Sequence, residues 1–406
     1  MMTFKQFLLE GGVAGHMAHP FDLPAVNTGK DLINIFNKIV KSLKKTPSSV
    51  KIDGVNASIK LITNSEGNKE FAMDRGSNKP EDVEGVTISR LTSRFPEGHG
   101  MIETGKTVLN IFNKAIPSIE SDLKKLKMWD NSNILFNMEY VKGSTNVIGY
   151  ANNFLAIHGL NEIVEVRSPV RGSIRRASRE INYDKKALQS LISKVDPIAK
   201  KEGFDVEHEF SVNLNDINFN KALNSNFTVN YDTKNIVTKP LSSWLQTAKN
   251  PKAEKIKLAS GKTISAMSLE NYKNIIGGIP MNHYLGDNID AIEKAINGAV
   301  FYHATILMGD TLKAGATSKL GGLQNQEGIV IRDRSISPNP LKITGSFITG
   351  KEAGKFASIK KTENEEYGIK GQLKNISNIN NIHNYETNPP FSKAILRGTL
   401  TPGMSI

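Results

Sequence analysis

Val50-Lys51-Ile52-Asp53-Gly54-Val55-Asn56 sets one lysine among β-branched residues and follows it at once with Asp-Gly. A lysine on a strand that runs into a tight Asp-Gly turn can present its amine at the mouth of a pocket. Gly54 would let the backbone come close to a nucleotide there. An amine attacks phosphorus only when neutral, and burial beside another cation can lower its pKa enough for that. The same string equally describes an ordinary hairpin with a surface lysine.

Working outward, Thr28-Gly-Lys-Asp31 opens a helix whose apolar stripe is Leu32, Ile35, Phe36, Ile39, Val40 and Leu43. Residues 13–29 read as loop. Residues 50–73 read as a strand pair turned at Asn64-Ser-Glu-Gly-Asn68, and residues 103–128 as an amphipathic helix. The runs NILFNMEYV and NNFLAIHGL read as strands. Residues 165–320 carry helical patterns such as KKALQSLISKVDPIAKK and IDAIEKAINGAVFYHATILMGDTL, separated by Asn- and Lys-rich loops. Strand character returns in GLQNQEGIVIRD and LKITGSFI, and the C-terminal end is polar. There is no internal repeat.

Charged residues recur inside these apolar runs. Arg75 follows Met73-Asp74, Glu139 lies in Phe136-Asn137-Met138-Glu139-Tyr140, and Phe154 opens Phe154-Leu-Ala-Ile-His158. Glu327 precedes Gly328-Ile-Val-Ile331, and Lys342 lies in Leu341-Lys-Ile-Thr344. A carboxylate in an apolar strand is costly unless it is paired or binds metal. Two such glutamates and two such lysines suggest one shared polar pocket, with cations for phosphates, carboxylates for Mg²⁺ and an aromatic for a base.

Taken in this order, the chain resembles the covalent nucleotidyltransferases: ATP-dependent DNA and RNA ligases and mRNA-capping enzymes. Lys51, Asp53 and Gly54 match the first motif, and Asn56 is closer to RNA ligases of T4-like phages. Arg75 and Glu139 match the next two motifs, Glu327 the fourth, and Lys342 the first lysine of the fifth. The resemblance implies that Lys51 takes up AMP from ATP and that Lys342 holds the α-phosphate. Glu139 and Glu327 would bind Mg²⁺ or Mn²⁺, with Glu139 also near the ribose. Arg75 would touch the ribose or an incoming phosphate, and Phe154 the base. The AMP would pass to a 5′-phosphate end of RNA or DNA. A transferase acting on a protein or small molecule, and a non-catalytic packaged nucleic-acid-binding protein, stand as the alternatives.

The implied fold is α+β: a ligase adenylation domain of two antiparallel sheets over residues 30–165 and 321–362, a mainly helical insertion over 166–320, and a polar tail over 363–406. Two departures stand out. Ser49 occupies the place where the family often has a base-reading glutamate, and Thr344 the place of a second lysine. Lys351, Lys355, Lys360 and Lys361 are the candidate substitutes. The short stretch after Lys342 is small for an OB-fold, which favours an RNA ligase or an unusual acceptor.

The net charge of +12 and pI of about 9.4 favour a polyanionic partner. Arg167, Arg171, Arg175, Arg176 and Arg179 form a basic stretch that reads either as a phosphate grip or as a solvated loop and helix start. With no cysteine, disulfides and thiolate chemistry are excluded. The eight histidines lack metal-ligand spacing, and no apolar run approaches membrane-span length. Residues 1–12 end in Gly-Gly. They resemble the targeting segment of internal head proteins of T4-like phages, which the prohead protease cuts after Leu-x-Glu; Leu8, Glu10 and Gly11 match that site. That resemblance implies the phage capsid interior, then the host cytoplasm after injection. The other reading is a first helix capped by Gly-Gly.

Overall fold

The computed structural model describes residues 17–46, 48–143, 148, 150–167 and 174–347, with only the backbone at 166, 167, 174 and 175. Leu8, Glu10, Gly11, Arg171, and Lys351, Lys355, Lys360 and Lys361 lie outside the described residues. Along the chain run α1 (Gly29–Leu43), β1 (Ser49–Lys51), β2 (Val55–Asn56), β3 (Ile59–Thr63), β4 (Lys69–Met73), α2 (Gly100–Lys125), β5 (Ile134–Val141), β6 (Phe154–Arg167), β7 (Ile174–Glu180), α3 (Lys185–Lys201) and β8 (Asp205–His208). Further on come α4 (Ile289–Ala314), β9 (Gly328–Ile331) and β10 (Leu341–Ile343). The fold is α+β, as expected.

The chain forms two compact units, Ile52–Phe210 and Ala18–Lys51 together with the chain from Ser211 onward. The boundaries expected at 165/166 and 320/321 fall inside these units. The first of them lies within β6, whose hairpin with β7 is continuous across it. Besides α3 and α4, residues 166–320 hold β7, β8 and the hairpins Asn226–Asn230/Ile236–Pro240 and Lys255–Lys257/Thr263–Ser265.

In the unit Ile52–Phe210 the strand order is β4-β3-β5-β6-β7, with β2 on β5 and β8 on β6. β8 runs parallel to β6, so this sheet is not antiparallel throughout, as had been expected. Alternation along the strands gives it two unlike faces. Ile59, Leu61, Phe71, Phe136, Met138, Leu155 and Ile157 face a core shared with Val108 and Phe112 of α2 and Leu191 and Val195 of α3. Phe71, Phe112 and Phe136 stack within that core at 5.3 to 6.3 Å. The register puts Asn56, Lys60, Asn137, Glu139 and Phe154 on the opposite face.

In the other unit, α1 begins as the sequence predicts. Thr28 Oγ1 accepts from the Asp31 N–H at 3.2 Å, and the Thr28 N–H donates to Asp31 Oδ2 at 2.9 Å. β1, β9 and β10 form an antiparallel sheet in that order. Val50, Ile329, Ile331, Leu341 and Ile343 are buried on one face; Ser49, Lys51, Val330 and Lys342 share the other. The strand pair expected over 50–73 is realised only by β3 and β4. β1 and β2 join different sheets, so Ile52-Asp53-Gly54 is a crossover and not a hairpin turn.

His303 of α4 packs against Phe227 at 5.0 Å, and its Nδ1 lies 2.8 Å from the Tyr272 hydroxyl. Burial pushes its pKa from 6.5 down to about 4. The unfolded chain therefore binds one more proton than the folded chain between those values, and stability falls as pH drops from about 6.5 toward 4. The full shift is worth about 3 kcal/mol. Urea unfolding from pH 7 to 4 should show a shallower loss for His303→Gln than for the parent chain; equal slopes would contradict this.

Candidate functional site

Lys51 ends β1 opposite Gly328, the first residue of β9, and Glu327 immediately precedes it. Lys51 Nζ lies 3.1 Å from Glu327 Oε2, with 15% and 5% of the two side chains exposed. Residues 276 positions apart thus meet on adjacent strands. Only glycine fits at 328, because a Cβ there would lie 2.0 Å from the Ile343 carbonyl oxygen of β10. Lys342 lies opposite Val330 on the same face as Lys51. Its charge is felt by its neighbours: burial, then Lys342, drives His19 down to about 3. Burial raises Asp22, while the His19 N–H and then Lys342 oppose the rise.

Ser49 is fully buried, and its Oγ accepts from Arg332 Nη1 at 2.9 Å. The position where a base-reading glutamate was expected is therefore occupied by a serine held in a polar contact. Thr344 ends the same sheet as a buried polar residue.

In the unit Ile52–Phe210, Asp53 is buried and anchors the crossover. Its N–H donates to the Tyr150 hydroxyl at 3.0 Å, and its Oδ2 accepts from the Ile148 N–H at 3.1 Å. Gly54 makes a close approach to β5: a Cβ would lie 3.0 Å from Glu139 Cβ, the Tyr140 carbonyl oxygen and Val141 Cγ2. Its lack of a side chain is used by strand packing, whereas the sequence reading gave that room to a nucleotide. Asn56 is the register partner of Glu139, and its Oδ1 accepts from Ser58 Oγ at 3.2 Å. Phe154 is edge-on to Tyr150 at 5.2 Å and to Phe210 at 5.3 Å. Arg75 Nη1 lies 2.9 Å from Met101 Sδ, and burial lowers its pKa against the opposing charge of Asp82.

His158 lies at an irregularity of the sheet. β5 and β6 shift register between Asn137 and Met138, leaving His158 as the extra residue of a bulge. Its Nε2 lies 3.8 Å from Glu139 Oε1. The signal was present in His158-Gly159, since a glycine inside a strand often marks a bulge.

Arg167, Arg175, Arg176 and Arg179 lie on the paired strands β6 and β7, where a helix start had been one reading. Arg176 Nη1 and Nη2 donate to Asp74 Oδ1 and Oδ2 at 3.0 and 2.5 Å, and Nη1 also reaches the Ser77 carbonyl at 2.9 Å. Asp74 is fully buried and also pairs with Lys60 Nζ at 2.8 Å. Arg176 thus acts as a clamp inside the unit. Arg179 pairs with Glu162 at 2.5 Å from a more exposed place. Arg167 and Arg175 lie on the same two strands.

For Mg²⁺ or Mn²⁺, Glu139 and Glu327 offer single carboxylates, and no group of three or more metal-ligating side chains gathers among the described residues. That suits a hydrated Mg²⁺, which is held by one or two carboxylates plus substrate phosphates. Glu327 is engaged by Lys51, so a metal there would share it. Comparison with protein-family models, with curated proteins and with solved structures finds no match.

The Asp74 cluster gives a direct test. Asp74→Asn leaves two buried cations without their carboxylate, which should cost about 3 kcal/mol or more. Urea unfolding at pH 7 measures it, and a loss under about 1 kcal/mol would contradict a clamp.

Proposed function

We propose that this chain is a covalent nucleotidyltransferase of the ATP-dependent ligase type, with a ligase-like adenylation fold and Lys51 as the nucleophile. The observation that carries this reading is the 3.1 Å pair of Lys51 and Glu327, with Lys342 on the neighbouring strand face. Three of the separated stretches behind the resemblance are those around Lys51, Glu327 and Lys342. That these three supply residues to one three-stranded sheet supports it independently of motif spelling.

The chemistry follows from the groups. Neutral Lys51 Nζ attacks the α-phosphorus of ATP; an N–P bond forms, the bond to the bridging oxygen breaks and pyrophosphate leaves with its electron pair, and the nitrogen gives its extra proton to solvent. Glu327, at hydrogen-bond distance, orients that amine. Lys342 supplies positive charge to the phosphate oxygens as charge builds on them. A divalent cation, when bound by the carboxylates of Glu139 or Glu327, would neutralise phosphate charge. The resemblance gives the ribose to Glu139 and Arg75 and the base to Phe154.

The AMP then passes to an acceptor, for which a 5′-phosphate end of RNA or DNA is the first reading. A protein or small-molecule acceptor is the second. It is favoured by the commitment of Arg176 to the buried Asp74, which takes one arginine out of a backbone grip. Loading of nicked RNA and DNA separates the two, since only a ligase joins strands.

Incubation with α-labelled ATP or GTP and Mg²⁺, followed by denaturing electrophoresis, tests the nucleophile. A labelled band with ATP is expected, and it should vanish in Lys51→Met. No band with either nucleotide from the folded parent chain would overturn the reading.

A further inference from the structure

Lys313 lies in the last turn of α4, with 3% of its surface exposed. An ammonium carries three donors. Among the described residues Lys313 Nζ has one hydrogen bond, at 3.3 Å to the Thr344 carbonyl oxygen, and no ion pair. The Phe347 ring lies 5.9 Å away. Asp310, one turn back, is occupied elsewhere: its Oδ1 accepts from the Ser346 N–H at 2.8 Å and Oγ at 3.1 Å. Burial pushes the Lys313 ammonium down, and Asp310 and then Glu327 oppose this through space.

A buried cation so thinly satisfied is a poor structural element. Its surroundings give it another use. Thr344 follows β10, and the β9–β10 register, carried one step further, sets it opposite Gly328. The close approach of a Gly328 Cβ to Thr344 Cα agrees with that. Gly328 is also the partner of Lys51 and the neighbour of Glu327. Lys313 therefore reaches the end of the sheet where Lys51 and Glu327 pair. An amine that attacks phosphorus must give up its charge, which leaves Lys342 as the only cation on these strands' polar face, facing a triphosphate.

Resting on the function proposed above, we propose that Lys313 is a phosphate-binding cation of the same site. From helix α4 it supplies the positive charge that β10 lacks at Thr344. Its two remaining donors take phosphate oxygens of the nucleotide.

The test uses the full chain, Lys313→Met and Lys313→Arg. Inorganic pyrophosphate and ATP binding are measured by calorimetry, adduct formation with labelled ATP, and the thermal midpoint of each protein. Losing a charge-assisted contact to phosphate predicts binding and adduct rate about 10-fold or more lower in Lys313→Met. Its thermal midpoint should be unchanged or higher, because methionine replaces a poorly paired buried ammonium. Lys313→Arg should keep most of the binding. A lower midpoint with unchanged binding and labelling would make Lys313 structural and overturn the inference, while adduct formation by the parent chain would leave the functional reading standing. A parent chain that binds neither probe and takes no label would overturn both.

Discussion

A lysine ammonium and a glutamate carboxylate meet at 3.1 Å between β1 and the start of β9, nearly out of reach of solvent. Burying either charge alone would cost several kcal/mol, and burying both together is at best close to neutral. Such a pair does little for stability, so its worth has to be sought in chemistry. The surrounding architecture is bent to make it. β9 begins with the one residue that lets β10 pass within van der Waals distance of its Cα, and β1 ends at the lysine itself. The strands' other face is wholly apolar, which fixes the register, since a one-residue slip would turn Lys51 into the core.

The same economy governs the unit Ile52–Phe210. One face of its sheet carries the aromatic core against α2 and α3, and the opposite face collects Asn56, Lys60, Glu139 and His158. Polar residues on a sheet face away from the core require partners, and each finds one here. Lys60 and Arg176 share Asp74, Asn56 takes the Ser58 hydroxyl, and His158 is brought near Glu139 by a bulge. The boundary between the two units falls at Lys51-Ile52, between the proposed nucleophile and Asp53.

Much of this was legible in the sequence, for identifiable reasons. α1 carries both its cap, Thr28 with Asp31, and an unbroken stripe, so its start and its buried face could be read directly. α3 matches its sequence pattern from Lys185 to Lys201 despite Pro197. Glu139 and Glu327 were found because a carboxylate among large apolar residues is conspicuous. What escaped was pairing at long range. Nothing local tells that β1 and β2 join different sheets, that β8 runs parallel to β6, or that Arg176 of a basic run is spent on Asp74. Lys313 was passed over because a helix reads as a helix whether a given lysine faces solvent or interior. Asp310 and Lys313 one turn apart in an apolar stretch were the available clue.

The central claim is that Lys51 becomes covalently bonded through its nitrogen to a nucleotide phosphorus. Peptide mapping by mass spectrometry, after incubation of the full chain with ATP and Mg²⁺, addresses that bond itself. The account predicts an adenylyl group on the peptide containing Lys51, released by mild acid and stable to base, as a phosphoramidate is. An adduct on another residue, an acid-stable bond, or an unmodified Lys51 peptide from folded protein would contradict it.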